Sequence, residues 1–167
     1  MNKTKNIVKV LFLLLAINII AGCSYSSRSI LKQNVNTVYI PIFDNQTFRR
    51  GMEYELTKAI KNEIMFKTQL RIVNKNTADS LLEGEIVSFT EQTMIVDADD
   101  RIVEGRIFIT VNFSWKDLRT DRLLVDGKDL IGTTEFVVDR GETIMTAKNE
   151  AYTDIAEKMV DQMNERW

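Results

Sequence analysis

Apolar and polar positions change rhythm repeatedly along this chain, and each rhythm predicts an element. Residues 10–20, VLFLLLAINII, form a nearly unbroken apolar run, whereas residues 24–34, SYSSRSILKQN, are small and polar without a sustained period. Alternation begins in NTVYIPIF, where Val38, Ile40 and Ile42 share one face of a first strand. Pro41 marks its end, since proline cannot donate to a sheet ladder. The DNQTF turn that follows offers Asp44, Asn45 and Thr47 as helix N-caps. Over residues 49–66 the period becomes helical: Met52, Leu56, Ala59, Ile60 and Ile64 recur at three and four, opposite Lys58, Lys61 and Glu63. Leu70, Ile72 and Val73 then fit a short edge strand inside a polar loop.

Two long extended segments come next. In residues 81–96 the apolar parity switches, from Leu82, Gly84 and Ile86 to Val87 and Phe89. A bulge or a strand buried on both faces accounts for the switch, and Gly84 suits a close approach of backbone. Val103, Ile107, Ile109, Val111, Phe113 and Trp115 alternate with a largely polar face that carries Phe108, which is the cleanest strand pattern in the chain. The acidic tip Asp97-Ala98-Asp99-Asp100 joins the two segments as a hairpin. KDLRTDRLLVDGKD reads as a turn-rich excursion, and residues 130–138 as the last strand. Between residues 141 and 167, Ile144, Ala147, Ala151, Ile155, Met159 and Met163 form a helical stripe, widened by Tyr152, Ala156 and Val160. The predicted order is β-α-β-β-β-α. That order implies an α+β, two-layer sandwich with two helices on one face of a mostly antiparallel four-stranded sheet.

Composition narrows what this domain does. With 167 residues and 44% apolar content the chain can bury a sizeable core, and a net charge of −2 argues against nucleic-acid binding, which needs a basic stripe. The absence of histidine removes the commonest general base and metal ligand, and a single cysteine excludes an internal disulfide. No cofactor or catalytic residue is expected, because a serine nucleophile would lack a base within reach. Asp97, Asp99 and Asp100 lack the spacing of a calcium loop and read as a solvated tip, so no metal is expected. Arg49 and Arg50 have two readings: an anion grip at a helix start, or arginines whose stems pack on the surface. Trp115 and Trp167 read as packing residues.

The amino terminus has its own logic. Lys3, Lys5 and Lys9 precede an apolar run about half the roughly 20 residues that a spanning helix needs, and the small pair Ala21-Gly22 follows. Ile20-Ala21-Gly22-Cys23 resembles a bacterial lipobox, at which the cysteine sulfur is acylated and the chain is cut before it. Residues 1–22 are then a removed signal peptide, Cys23 the lipidation site, and residues 23–34 a lipidated tether to a domain at residues 35–167. Acyl chains contribute about 0.8 kcal/mol per buried methylene, so the membrane holds the protein through its N-terminal lipid. Ser24, where an aspartate would signal inner-membrane retention, points to the outer membrane.

A lipobox followed by TVYIPIFDNQTFRRGMEYELTKAIKNEI and then LLEGEI resembles the LptE family of lipopolysaccharide-assembly lipoproteins. The matching motif residues are Pro41, Phe43, Asn45, Thr47, Arg49 and Arg50. The resemblance implies a partner, the outer-membrane β-barrel LptD, with this domain as its plug, facing the periplasm or the barrel lumen. It also implies contact with lipopolysaccharide phosphates through basic residues at one end of the sheet, for which the candidates are Arg101 and Arg106 near the hairpin tip, or Lys116, Arg119, Arg122 and Lys128 around the next turn. The acidic hairpin tip departs from that pattern. The competing resemblance is to periplasmic scaffold or regulatory lipoproteins of TolB-amino-terminal, CsgG and LpoB-like type, which share a VYIPIFDN-like opening. The paired arginines favour LptE.

Overall fold

The computed structural model describes residues 35–99 and 101–165. The chain order is β1 (Thr37–Tyr39), β2 (Asp44–Asn45), α1 (Met52–Lys67), β3 (Arg71–Ile72), β4 (Ser80–Val96), β5 (Ile102–Asp117), β6 (Arg122–Val137) and α2 (Ile144–Glu165). Short 3-10 turns occupy Lys75–Thr77 and Val138–Arg140. The sheet runs β3-β1-β4-β5-β6, with β2 also beside β4. The long strands β4, β5 and β6 pair antiparallel, while β1, β2 and β3 join in parallel. The architecture is therefore α+β, two helices against a mixed sheet dominated by its antiparallel strands. The two-residue β2 and β3 extend the four-stranded sheet anticipated from sequence.

The core lies between this sheet and the helices. Leu82 and Ile86 of β4, alternate β5 residues from Ile107 to Trp115, and the α1 residues Leu56, Ile60 and Ile64 are all fully or almost fully buried. The α2 stripe closes it, with Ala151, Ile155, Met159 and Val160 at zero exposure or close to it. Burial pushes the Tyr152 hydroxyl up to about 12, with the Glu55 and Glu53 charges adding to the shift.

The parity switch in β4 is a bulge. The register with β5 slips between Ile86 and Ser88, so Val87 is the extra residue and Phe89 returns to the helix side opposite Ile109. Gly84 is a close approach: a Cβ there would sit 2.4 Å from Asn112 O and 2.5 Å from the Phe43 ring.

Two expectations need correction. The first-face alternation stops at Pro41: Val38 and Ile40 are buried, but Ile42 is 52% exposed and Phe43 turns inward in its place. β1 ends at Tyr39, and the chain is no longer strand at Pro41, so the two-residue period no longer applies. The second is the segment KDLRTDRLLVDGKD, which is strand on both sides of a tight turn. Asp117 Oδ1 accepts from the amides of Arg119 at 2.8 Å and Thr120 at 3.3 Å, and Asp121 takes a positive φ of 55°. β6 then starts at Arg122, eight residues before the expected strand. Register slips between Trp115/Lys116 and between Val111/Phe113 scramble its parity, which hides the strand from a period-two reading.

Helix α1 starts three residues later than expected, after Gly51 in the left-handed region (φ 91°), and no side chain of the DNQTF turn caps it. α2 starts at Ile144 behind Thr143, whose hydroxyl accepts from the Thr146 amide at 3.2 Å while Thr146 Oγ1 receives the Thr143 amide at 2.8 Å. This reciprocal pair satisfies groups that a helix start leaves unpaired.

Candidate functional site

Most of the motif residues converge where β2 leads into α1. Phe43 fills the space left by Gly84, and its amide donates to Thr57 Oγ1 at 3.0 Å, which in turn donates to Glu53 O at 2.6 Å. Asn45 Oδ1 accepts from the Thr47 amide at 2.9 Å and the Thr47 hydroxyl at 2.7 Å. Its Nδ2 donates to Arg49 O and to Glu53 Oε2, both at 2.8 Å. Glu53 Oε2 also receives the Gly51 amide at 3.0 Å. The bond from Asn45 holds the Glu53 carboxyl below its ordinary range, and the Glu53 and Gly51 amides act in the same direction.

Arg49 leaves this node toward the sheet. Its guanidinium lies 4.3 Å from the centre of the Phe89 ring and 3.5 Å from Glu91, while Lys148 of α2 lies 5.2 Å from the same ring. Phe89 faces the helices because of the Val87 bulge, so one ring links the starts of α1 and α2 to β4. Pro41 is half-buried before the node, and Arg50 is exposed beyond it.

The basic candidates do not meet. Arg101 and Arg106 lie toward the β4–β5 hairpin tip, and Lys116 and Arg119 at the opposite end of β5. Ten residues of strand from Arg106 to Lys116 span roughly 33 Å at about 3.3 Å per residue. Each cation has an acidic neighbour. Arg101 pairs with Asp97 at 2.8 Å and Asp99 at 3.1 Å, Arg106 with Glu135, Lys116 with Asp121 at 2.5 Å, and Arg119 with Asp117 at 3.5 Å. Burial alone would raise the Asp117 carboxyl; the bonds from Arg119 and Thr120 outweigh it and hold the group below its ordinary value. Hydrogen bonds from the Arg101 and Asp99 amides and the Arg101 side chain hold Asp97 low as well, the Arg101 amide first. Asp100, Cys23 and Trp167 lie outside the described residues.

The sheet face away from the helices carries a feature that the motif search passed over. A shallow cavity of about 350 Å³ is lined by Asp44, Glu83, Glu85 and Asp126, with Lys128 beside them. Lys128 is itself paired to Asp126 at 3.5 Å. The signal lay in LLEGEI, whose Leu82-Gly84-Ile86 parity sends Glu83 and Glu85 to the other face. No group of side chains suited to a metal ion occurs among the described residues.

Two helices on one face of a mixed sheet with a long β4–β5 hairpin define a two-layer α+β protein. Several solved structures similar in fold are described as lipoproteins. They include lipoprotein B from Nitrosomonas europaea (TM-score 0.53, 13% identity, covering 77% of this chain and 81% of that one). The PelC dodecamer from Paraburkholderia phytofirmans (0.53, 13%, 78% and 88%) and a minor lipoprotein from Acinetobacter baumannii (0.51, 11%, 78% and 94%) are similar to the same extent. At these identities the likeness is one of fold. No curated protein matches the sequence. The family comparison is decisive: residues 35–167 match the family described as LptE, lipopolysaccharide-assembly, and the chain belongs to that family. It is an assembly lipoprotein and not an enzyme.

Proposed function

We propose that this protein is a lipid-anchored outer-membrane component that plugs and assists assembly of an LptD-like β-barrel in lipopolysaccharide transport to the cell surface. The observation that carries the reading is the family match across the whole domain. The structure supports it through a compact body whose motif residues hold the fold together and leave the broad sheet face open. The face is acidic at its centre, around Glu83 and Glu85, a poor surface for glycolipid phosphates. Phosphate contact at Arg101 or Arg106 competes with Asp97, Asp99 or Glu135 for the guanidinium. Engagement of the barrel is therefore the main role, with direct glycolipid contact secondary to it.

The test is co-purification. The full chain extracted in detergent from its membrane is expected to bring down an outer-membrane β-barrel, identified by mass spectrometry. Recovery with wall synthases or secretion components, and no barrel, sinks the proposal and favours a scaffold lipoprotein.

A further inference from the structure

Strand β6 is the outer edge of the sheet, and a long edge presents a row of unpaired N–H and C=O groups to any other strand. Its two halves differ in sequence. The first half, RLLVDGKD, carries several charges, two register slips and a positive φ at Asp129 (51°), all of which spoil pairing. The second half is LIGTTEFV, residues 130–137, rich in β-branched and aromatic side chains, without proline, and with Glu135 as its one charge. That composition is the signature of a segment that adds to other strands.

Helix α2 reaches round this second half. Lys158 Nζ donates to Ile131 O at 2.9 Å, Asp154 Oδ2 accepts from the Thr133 amide at 3.4 Å, and the two side chains are joined at 2.7 Å. Farther along, Glu142 Oε2 accepts the Val137 amide at 2.8 Å. Gly132 permits the reach. A Cβ there would lie 2.6 Å from Ile155 Cγ1 and 2.7 Å from Ala151 O, so only glycine lets the helix sit this close. Edge groups on every second residue from 131 to 133, and again at 137, are thus occupied by side chains, along the stretch where the sequence would otherwise invite a partner strand.

We propose that Asp154 and Lys158 form a clip that blocks β6 from pairing with β6 of a second copy of this chain. An antiparallel β6–β6 pair centred near Thr133 would set threonine against threonine and Ile131 against Glu135, with no like charges opposed, so the clip at its centre, with the Glu142 bond at its end, is what stands against it. Ile131 is already 46% exposed on the open face.

The experiment uses the full chain purified in detergent, with protein mass read by light scattering and secondary structure by circular dichroism. Wild type is expected to be a monomer. The double variant Asp154→Ala/Lys158→Ala is expected to at least double in mass with rising concentration while keeping its helical signal. If that signal is lost, Lys158→Met, which keeps the aliphatic stem, takes its place. Adding Ile131→Glu, which sets a like charge against Glu135 of the second copy, or Thr133→Pro, which deletes the amide donor, is expected to restore the monomer. A folded clip variant that stays monomeric overturns the proposal, as does association that survives both added substitutions or a wild type that already pairs through β6.

Discussion

Asn45 uses all of its hydrogen-bonding capacity on the turn before α1: two bonds accepted from Thr47, two donated to Arg49 and Glu53. An aspartate there could accept but not donate, and would set a carboxylate against Glu53. Asp79 works in the same way at the other end of the sheet. Its Oδ2 receives the amides of Asn36 and Thr37 at 3.1 Å each and the Thr37 hydroxyl at 2.9 Å. These bonds, the Asn36 amide first and then the Thr37 hydroxyl, with Arg119 nearby, hold the Asp79 carboxyl below its ordinary 3.8. A group lowered on folding stabilises the native state above its unfolded pKa and ceases to do so as pH falls through the folded value. Asp79→Asn is therefore expected to be less stable than wild type at pH 7. In urea melts the gap should close progressively below about pH 4, where the unfolded carboxyl takes up its proton. A gap that stays constant to pH 2 would show that the charge is immaterial. Neither network follows from spacing alone. Asn45 was visible as a turn residue and as part of a family motif, but Glu53 and Asn36 become partners only once α1 and β4 are placed.

At the scale of elements, β4 is organised by what it lacks and what it has in excess. Gly84 leaves room for the Phe43 ring, and Val87 is an extra residue that turns Phe89 toward the helices. Gly84→Ala is expected to cost about 1–3 kcal/mol and lower Tm, because the new methyl meets a backbone oxygen of β5 that cannot move aside without breaking the ladder. A thermal melt checks this; an unchanged Tm would mean that the strands separate easily at this point. The elements that the sequence disclosed are those with an undisturbed period: α1, α2, β5 and the first part of β4. β6 was half lost because two bulges shift its parity, and a bulge is set by pairing with β5 rather than by local composition. The first strand was read too far because Ile42 continues the alternation of Val38 and Ile40 although Pro41 has already turned the chain. The two alternative basic sets lie apart for a simpler reason. Arg106 and Lys116 sit near opposite ends of β5, a separation that the alternation of that strand already implied.

For the whole molecule, the proposed acylation site at Cys23 and the folded domain are separate problems joined by residues 24–34. Cys23→Ala is expected to abolish incorporation of labelled fatty acid and leave the signal uncleaved; label on that variant would refute the lipobox. The domain itself contains no helix long and apolar enough to cross a membrane among the described residues. The lipid-anchored reading makes the junction at residue 35 a mechanical part. There the chain passes directly into β1, which lies between β3 and β4 rather than at an edge. Val35 is wholly buried, the Asn36 carbonyl receives the Arg71 amide at 3.0 Å, and the Asp79 carboxylate grips the next two residues from the other side. A pull directed along β1 would load it in shear, so that bonds to both neighbours share the force together. An edge strand pulled from its end would instead peel, one bond at a time. If the chain is anchored as proposed, the small parallel corner of the sheet is where a load from the bilayer enters the fold.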